Sequence, residues 1–542
     1  MRRRAWTMDA GRREYIREEV SLPGRPVSYW IDTTDPEPLE ALAGTTVDVD
    51  VAILGGGIAG ITLADELKRL GASVAVIEMR RVGCGVTGHT TAKITVQHGE
   101  IYADLEDAHG GEAATLYASA QKAALEHIAE TVAWRGIECD FERAPSYLFA
   151  QNEASRESLE REAEAAQRAG VPMELLDNAP LPFPTTCGVR LVDQALFHPL
   201  RYLLALADGI PGDGSHIFER TRALEIDGHE GRGIVTTDRG LVRADHIVLA
   251  THYPFYDKAA LFTRMHAERS YALAVDLAEP PDAGMYYSSE EGGRSLRWHP
   301  VADGGLAVVA GEGHKAGQGG DERERYRALA RWAGEHLGAD SVTHHWSTQD
   351  NHSVDRLPFV GQMPGTPTVW VATGFGSWGM TNGTVAATML AGRIAGTASE
   401  LDDLLSPSRV NPGASAKSFL RENLDVAAHF VGDKLSSPDK VPIDQIPIGV
   451  GRVIAAEEGR VAVYRASAAE VHTLSPRCTH LGCELHFNIA EKTWDCPCHG
   501  GRFTAEGMVV QGPPVRDLTR KTESGDDAPT AGPAKRPTGG AL

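Results

Sequence analysis

Val47-Asp48-Val49-Asp50-Val51-Ala52-Ile53-Leu54-Gly55-Gly56-Gly57-Ile58-Ala59-Gly60 is the stretch that decides the fold. It opens in alternation and becomes continuously apolar, the pattern of a strand buried on both faces of a parallel sheet. The glycines of the G-x-G-x-x-G run each answer a steric demand. Gly55 permits a tight turn, Gly57 lets backbone approach a pyrophosphate, and Gly60 lets the next helix pack on the strand. That helix, Ile61 to Leu70, is amphipathic, and its N-terminus offers N–H groups and a positive dipole end to phosphate. A second strand, Ser73 to Glu78, completes a βαβ unit. Glu78 lies about 20 residues on, where a carboxylate accepts ribose hydroxyls. Strand, turn, helix, strand and acid in this order predict a dinucleotide site.

Two later segments extend that part. Asp245-His246-Ile247-Val248-Leu249-Ala250-Thr251 is an apolar strand ending in Ala-Thr. Val369-Trp370-Val371-Ala372-Thr373-Gly374-Phe375-Gly376-Ser377-Trp378-Gly379-Met380-Thr381 is a strand running into a glycine-rich loop and a helix. The fingerprint alone does not choose between FAD and NAD. The whole arrangement resembles the glutathione-reductase-like FAD fold and, within it, the D-amino-acid oxidase (DAO) superfamily. The resemblance implies FAD, and it puts Gly374, Gly376, Gly379, Met380 and Thr381 beside the flavin ring. It also makes Gly83-Cys84-Gly85-Val86-Thr87-Gly88-His89-Thr90-Thr91-Ala92 a second flavin loop. Small and hydroxyl residues such as Thr90 and Thr91 suit backbone passing under that ring. His89 either sits near flavin N5 and the C4 carbonyl or caps the loop; covalent attachment through Cys84 is a minor alternative.

The segment Thr348 to Gly361 carries an Asp-x-x-Pro-x-x-Gly pattern that recurs before the last flavin loop of that superfamily. Asp355 is expected to be structural. His252, Tyr253, His352 and Trp378 are candidates for the substrate side of the flavin, each with packing as the plain alternative. His89, His252, His352 and Trp378 are the weak catalytic candidates; no catalytic residue is assigned, since the flavin would do the chemistry. Gly311-Glu312-Gly313-His314-Lys315-Ala316 mimics a second nucleotide fingerprint, but Gly317-Gln318-Gly319-Gly320 follows and starts a helix poorly. It reads as a strand end and turn. Without a second fingerprint, a pyridine-nucleotide reductase is disfavoured.

Near the other end stand Cys478-Thr479-His480-Leu481-Gly482-Cys483 and Cys496-Pro497-Cys498-His499-Gly500. Structural zinc also takes Cys and His ligands, but its cysteines sit two to four apart within a knuckle. A C-x-H pair, a C-x-C-H run and two surplus cysteines speak against it. The two loops closely resemble those of the Rieske family. The resemblance implies a [2Fe–2S] cluster with Cys478 and Cys496 on one iron, His480 and His499 on the other, and a disulfide between Cys483 and Cys498. Gly512-Pro513-Pro514 matches the proline loop that covers the cluster. Many high-potential members carry Ser and Tyr hydroxyls that hydrogen-bond to sulfur where this chain has Gly501 and Phe503. Such bonds stabilise the reduced cluster, so a potential in the lower half of the Rieske range of roughly −150 to +300 mV is expected.

Composition bounds the rest. The chain has 542 residues, 42% hydrophobic and 23% charged, which is ordinary for a globular protein. A net charge of −21 argues against nucleic acid or anionic membrane as partner. No apolar run approaches the roughly 20 residues of a membrane span. Met1-Arg2-Arg3-Arg4 lacks the apolar region of an export signal, so the cytoplasm is the expected location. Disulfides are uncommon there, though a buried, short-span one resists reduction.

The expected fold is α/β plus all-β, with a glutathione-reductase-like FAD-binding Rossmann domain, an α+β substrate subdomain and a small antiparallel β Rieske domain. The expected boundaries are a polar extension over 1–46, the oxidoreductase over 47–400, a linker over 401–440, the Rieske domain over 441–518 and a disordered tail over 519–542. The FAD-binding part is expected over about 47–105, 190–260 and 345–400, with the substrate subdomain between. The expected function is oxidation of a small amine or amino-acid-like donor. Electrons would pass from flavin to cluster and on to an external acceptor, protein or quinone-like. An NAD(P)H-dependent reductase and a non-enzymatic redox carrier or sensor are the alternatives.

Overall fold

The strand predicted at the outset runs Thr46–Leu54, exposed at its start and buried from Val51 onward. It lies at the centre of a sheet ordered Phe359–Gln362, Val369–Thr373, Gly240–Leu249, Thr46–Leu54, Val74–Ile77 and His216–Phe218. The pairings around Thr46–Leu54 are parallel, and Phe359–Gln362 joins antiparallel. Helices Ile58–Arg69 and Gly379–Ile394 pack against each other on one face. The computed structural model describes residues 22–228, 231–277, 283–290, 292–301, 304–410, 421, 423, 441–456 and 459–521.

A second sheet is mostly antiparallel. Its order is Ala339–Ser353, Met265–Leu277, Gly304–Lys315, Ser295–Val301, Met285–Ser288, Glu142–Ala150, Cys187–Leu196 and Lys93–Ile94. The nucleotide look-alike at 311–316 is the end of Gly304–Lys315 and the turn after it, as expected. The second sheet also takes stretches that the sequence reading assigned to the nucleotide part. Lys93–Ile94, Cys187–Leu196 and the end of Ala339–Ser353 fall inside the ranges 47–105, 190–260 and 345–400. Apolar alternation shows that a strand is half-buried, not which of two sheets it joins.

The lead-in over 1–46 is not a solvated extension where it is described. A short helix, Tyr29–Asp32, buries Trp30 completely, and its indole N–H donates to the Thr90 carbonyl at 2.7 Å. Residues 411–420, 424–440 and 522–542, and with them most of the expected linker and tail, lie outside the described residues. From 441 onward the structure is antiparallel β. One sheet holds Gly451–Ala456, Gly459–Arg465 and Val471–Leu474; the other holds His486–Asn488, Thr493–Asp495, Arg502–Thr504 and Val509–Gln511. Among the described residues no helix is long and apolar enough to cross a membrane.

Candidate functional site

The parallel strands end at a cavity of about 1280 Å³, larger than the roughly 300–1,000 Å³ usual for a small-ligand pocket. Gly55, Gly57, Glu78, His89, Thr90, Thr91, Gly379 and Met380 line it. Gly55 has φ of +112°, and a Cβ there would stand 2.4 Å from the Ala250 carbonyl oxygen. A Cβ on Gly60 would stand 2.0 Å from the Gly55 oxygen, so this glycine serves the packing of helix on turn and does not line the cavity. The helix starts at Ile58, whose N–H donates to the Thr87 hydroxyl at 3.0 Å. The Glu78 carboxylate accepts from the N–H groups of Gly56 and Arg80, each at 2.8 Å. Burial raises its pKa, and those two N–H groups oppose the rise.

The loop Gly83–Ala92 is pinned by two indoles. Trp30 donates to Thr90, and Trp346 donates to the His89 carbonyl at 2.9 Å. The His89 ring binds back to the Gly85 carbonyl at 2.9 Å, and burial lowers its pKa to about 4. It therefore caps its own loop while lining the cavity. Trp378 lines the cavity too, stacked on His98 at 4.7 Å and tilted against Tyr287 at 5.1 Å. Gly374, Gly376 and Thr381 stand behind this wall; Thr381 hydrogen-bonds to His98 at 3.0 Å. His352 stands back as well, stacked on His266 at 5.6 Å. Asp355 binds the Arg409 guanidinium through both carboxylate oxygens, at 2.7 and 2.8 Å, a structural pair.

Lys93 escaped the sequence reading. It is buried on the cavity wall, and its ammonium donates to the hydroxyls of Ser295 and, at 3.2 Å, Thr91. No carboxylate pairs with it among the described residues. Burial pushes its pKa down to about 7, and the nearby Arg297 guanidinium adds to the fall. A lysine directly after a flavin-type loop was the available signal; its burial was not visible without the second sheet.

At the other end, two loops mirror each other. Cys478 N–H donates to Cys483 O and Gly482 N–H to Cys478 O; Cys496 N–H donates to Gly501 O and Gly500 N–H to Cys496 O, all at 2.8–3.0 Å. Cys483 and Cys498 are joined as a disulfide. Cys478 and Cys496 are both buried in the core of this domain. The rings of His480 and His499 stand 5.1 Å apart. The His480 Nδ1 is buried without any partner among the described residues, a lone pair that lacks only a metal. The sulfurs of Cys483, Cys496 and Cys498 also cluster within 4.8 Å, but the disulfide withdraws two of them from metal binding. Two thiols and two imidazoles at one point fit a [2Fe–2S] cluster ligated by Cys478, His480, Cys496 and His499. A Cβ on Gly501 would stand 2.7 Å from Pro514 Cδ, so the absent side chain lets the proline loop close down.

The β domain closes over the nucleotide cavity. Tyr464, Glu491, Arg502, Met508 and Gln511 form part of its wall. Two glycines allow a close approach across the boundary, Gly317 to backbone and Gly500 to side chains. A Cβ on Gly317 would stand 2.6 Å from the Pro497 nitrogen, and one on Gly500 2.6 Å from the Ala267 Cβ. A buried ionic network locks the contact. Arg269 reaches Glu491 at 3.4 Å and Asp495 at 3.6 Å, and Arg502 binds the same two acids. Burial by itself would raise the pKa of Glu491, but the Arg502 and Arg269 guanidiniums hold it well below the usual carboxylate range. Arg222 adds a bond to Asp517 at 2.7 Å, and Gln349 one to the Gly500 carbonyl at 2.8 Å. None of these was legible as a motif.

Residues 50–393 match the family described as FAD dependent oxidoreductase (DAO), and residues 440–522 match the Rieske [2Fe-2S] domain. YhfW of Bacillus subtilis (strain 168), named for a Rieske 2Fe-2S iron–sulfur centre, is 37% identical over 495 residues, covering 91% of this chain and 97% of its own. Gamma-glutamylputrescine oxidoreductase of Escherichia coli (strain K12) is 27% identical over 220 residues, 39% of this chain and 51% of that protein. Among solved structures, glycine oxidase from Geobacillus kaustophilus superposes with a TM-score of 0.56 at 17% identity, covering 67% of this chain and 99% of that one. L-proline dehydrogenase from P. horikoshii gives 0.54 at 18%, covering 69% and 98%. These two share the fold. The turn at Gly55–Gly60, its cavity and the Cys and His side chains between Cys478 and His499 thus belong to one design: the chain is a member of the DAO family of FAD-dependent oxidoreductases, with a Rieske [2Fe–2S] domain at its C-terminal end.

Proposed function

We propose that this protein is a cytoplasmic dehydrogenase that oxidises a small amine or amino-acid-like donor and uses its cluster, in place of O₂, as the outlet for the electrons. One observation carries the reading. His499, a cluster ligand, is buried against the loop that follows strand Gly240–Leu249, with its ring 6.2 Å from Tyr253 and 5.8 Å from Phe262. Tyr253 also lines the nucleotide cavity, so one side chain touches both sites. His480 is only half-buried, which leaves its edge for an external acceptor.

FAD supplies a hydride acceptor, and a Rieske cluster carries one electron at a time. The protein supplies the surroundings. The indoles of Trp30 and Trp346 hold the loop under the ring in one position. The β domain supplies part of the cavity wall. Lys93, with hydroxyl partners only, takes the proton of an ammonium substrate near neutral pH. The rate of flavin reduction is therefore expected to rise with pH through about 7, as the amine loses its proton. Lys93→Met removes that rise.

The reading is tested by anaerobic flavin bleaching against a panel of amines, amino acids and nicotinamides. Bleaching by an amine or amino acid is expected. Bleaching by NADPH or NADH alone overturns the reading in favour of a reductase.

A further inference from the structure

Tyr253 carries one feature that packing does not use. Its phenol is buried, with 2% of the residue exposed, and its hydroxyl has no hydrogen-bond partner among the described residues. A buried hydroxyl left unpaired costs about 1–3 kcal/mol in proteins, so orphans of this kind call for an explanation. The side chain is held firmly. Its backbone N–H donates to Thr251 O at 2.8 Å, and its carbonyl accepts from the Thr251 hydroxyl at 2.9 Å. The preceding residue, His252, has φ of +67° and is fixed by Asn351 and Thr373 through its own carbonyl. The ring stands 6.2 Å from that of His499, three residues beyond Cys496.

The cluster side of the contact is poor in donors. Phe503 is fully buried and has no polar atom, and Gly501 has no side chain, its place taken by Pro514. Hydrogen bonds to the sulfurs are one of the levers that set the potential of an iron–sulfur cluster. We propose that the Tyr253 hydroxyl donates a hydrogen bond to the sulfur side of the cluster, so that a residue of the FAD domain tunes the potential of the Rieske domain. This goes beyond the electron-outlet reading and holds whatever the substrate is. No atom is transferred; the bond favours the reduced, more negative cluster.

The test uses the full-length holoprotein. Tyr253→Phe removes the hydroxyl and keeps the ring. Redox titration followed by EPR is expected to show a lower midpoint potential, by about 59 mV for a tenfold change in a one-electron equilibrium. The g-values of the reduced cluster shift with it. Tyr253→Leu, which removes ring and hydroxyl together, falls by a similar amount. In D₂O the wild-type reduced cluster shows coupling to an exchangeable deuteron that Tyr253→Phe lacks. An unchanged potential in Tyr253→Phe overturns the proposal, and so does a fall confined to Tyr253→Leu, which would assign the effect to packing. Should Tyr253→Phe fail to hold the cluster, the deuteron coupling that the wild type shows beyond that of Tyr253→Leu decides: an excess supports the bond and equal coupling overturns it.

Discussion

At the nucleotide end the site proposed for the cofactor is built chiefly of main chain: Gly55, Gly57, the helix that begins at Ile58, and a loop pinned by two indoles. At the cluster end the proposed ligands are four side chains, with the backbone only shaping their loops. A site made of backbone is specified by where side chains must be absent. A site made of ligands is specified by where they must be present. Substitutions should therefore break the two ends differently.

The largest effect is expected from Cys496→Ala. It removes a thiolate ligand, and iron analysis and EPR should show complete loss of the cluster while bound FAD remains. Gly60→Val is the counterpart at the other end. Its Cβ would fall 2.0 Å from the Gly55 oxygen, so the turn must open. Loss of flavin absorbance with the iron content retained is the expected outcome. If either substitution empties both sites, the two ends are not built independently.

Arg269→Met is expected to come next, because it strikes the seam between them. The arginine is 1% exposed and faces two acids, Glu491 and Asp495, which would be left with one guanidinium, that of Arg502, among the described residues. Removing one partner of a buried pair costs about 3–5 kcal/mol, measured as a drop in denaturation midpoint. A change under about 0.5 kcal/mol would show that the network is not holding the domains together. The smallest effect is expected from Phe503→Tyr, which adds a hydroxyl beside the cluster and should raise its midpoint potential. A wild-type potential already in the upper half of the range of roughly −150 to +300 mV would contradict the account of Gly501 and Phe503.

Both ends were legible in the sequence because each is local. The turn, its helix and Glu78 sit within one βαβ unit, and the four ligands within two short loops. Element positions followed from the apolar pattern, as in strands Val74–Ile77 and Val369–Thr373. What stayed hidden depends on contacts between distant segments. Trp30 looked like part of a polar lead-in because its partner, Thr90, lies 60 residues away. Lys93 carries no motif, and its burial depends on the second sheet. Tyr253 is a candidate for the substrate side, with packing as the alternative, and the structure puts it between the cavity and His499. Gly317, which lets the domains touch at Pro497, carries no motif, and Gly500 stands in the Cys496–Gly500 run without its contact with Ala267 being readable there.

The central claim is that the cluster drains the flavin within one chain. The most direct measurement is made on anaerobic holoprotein whose flavin has been photoreduced, followed by absorbance and freeze-quench EPR. The account predicts that flavin absorbance recovers in part as the reduced-cluster signal grows, with no oxygen present. A flavin that stays fully reduced beside an EPR-silent, oxidised cluster would contradict it.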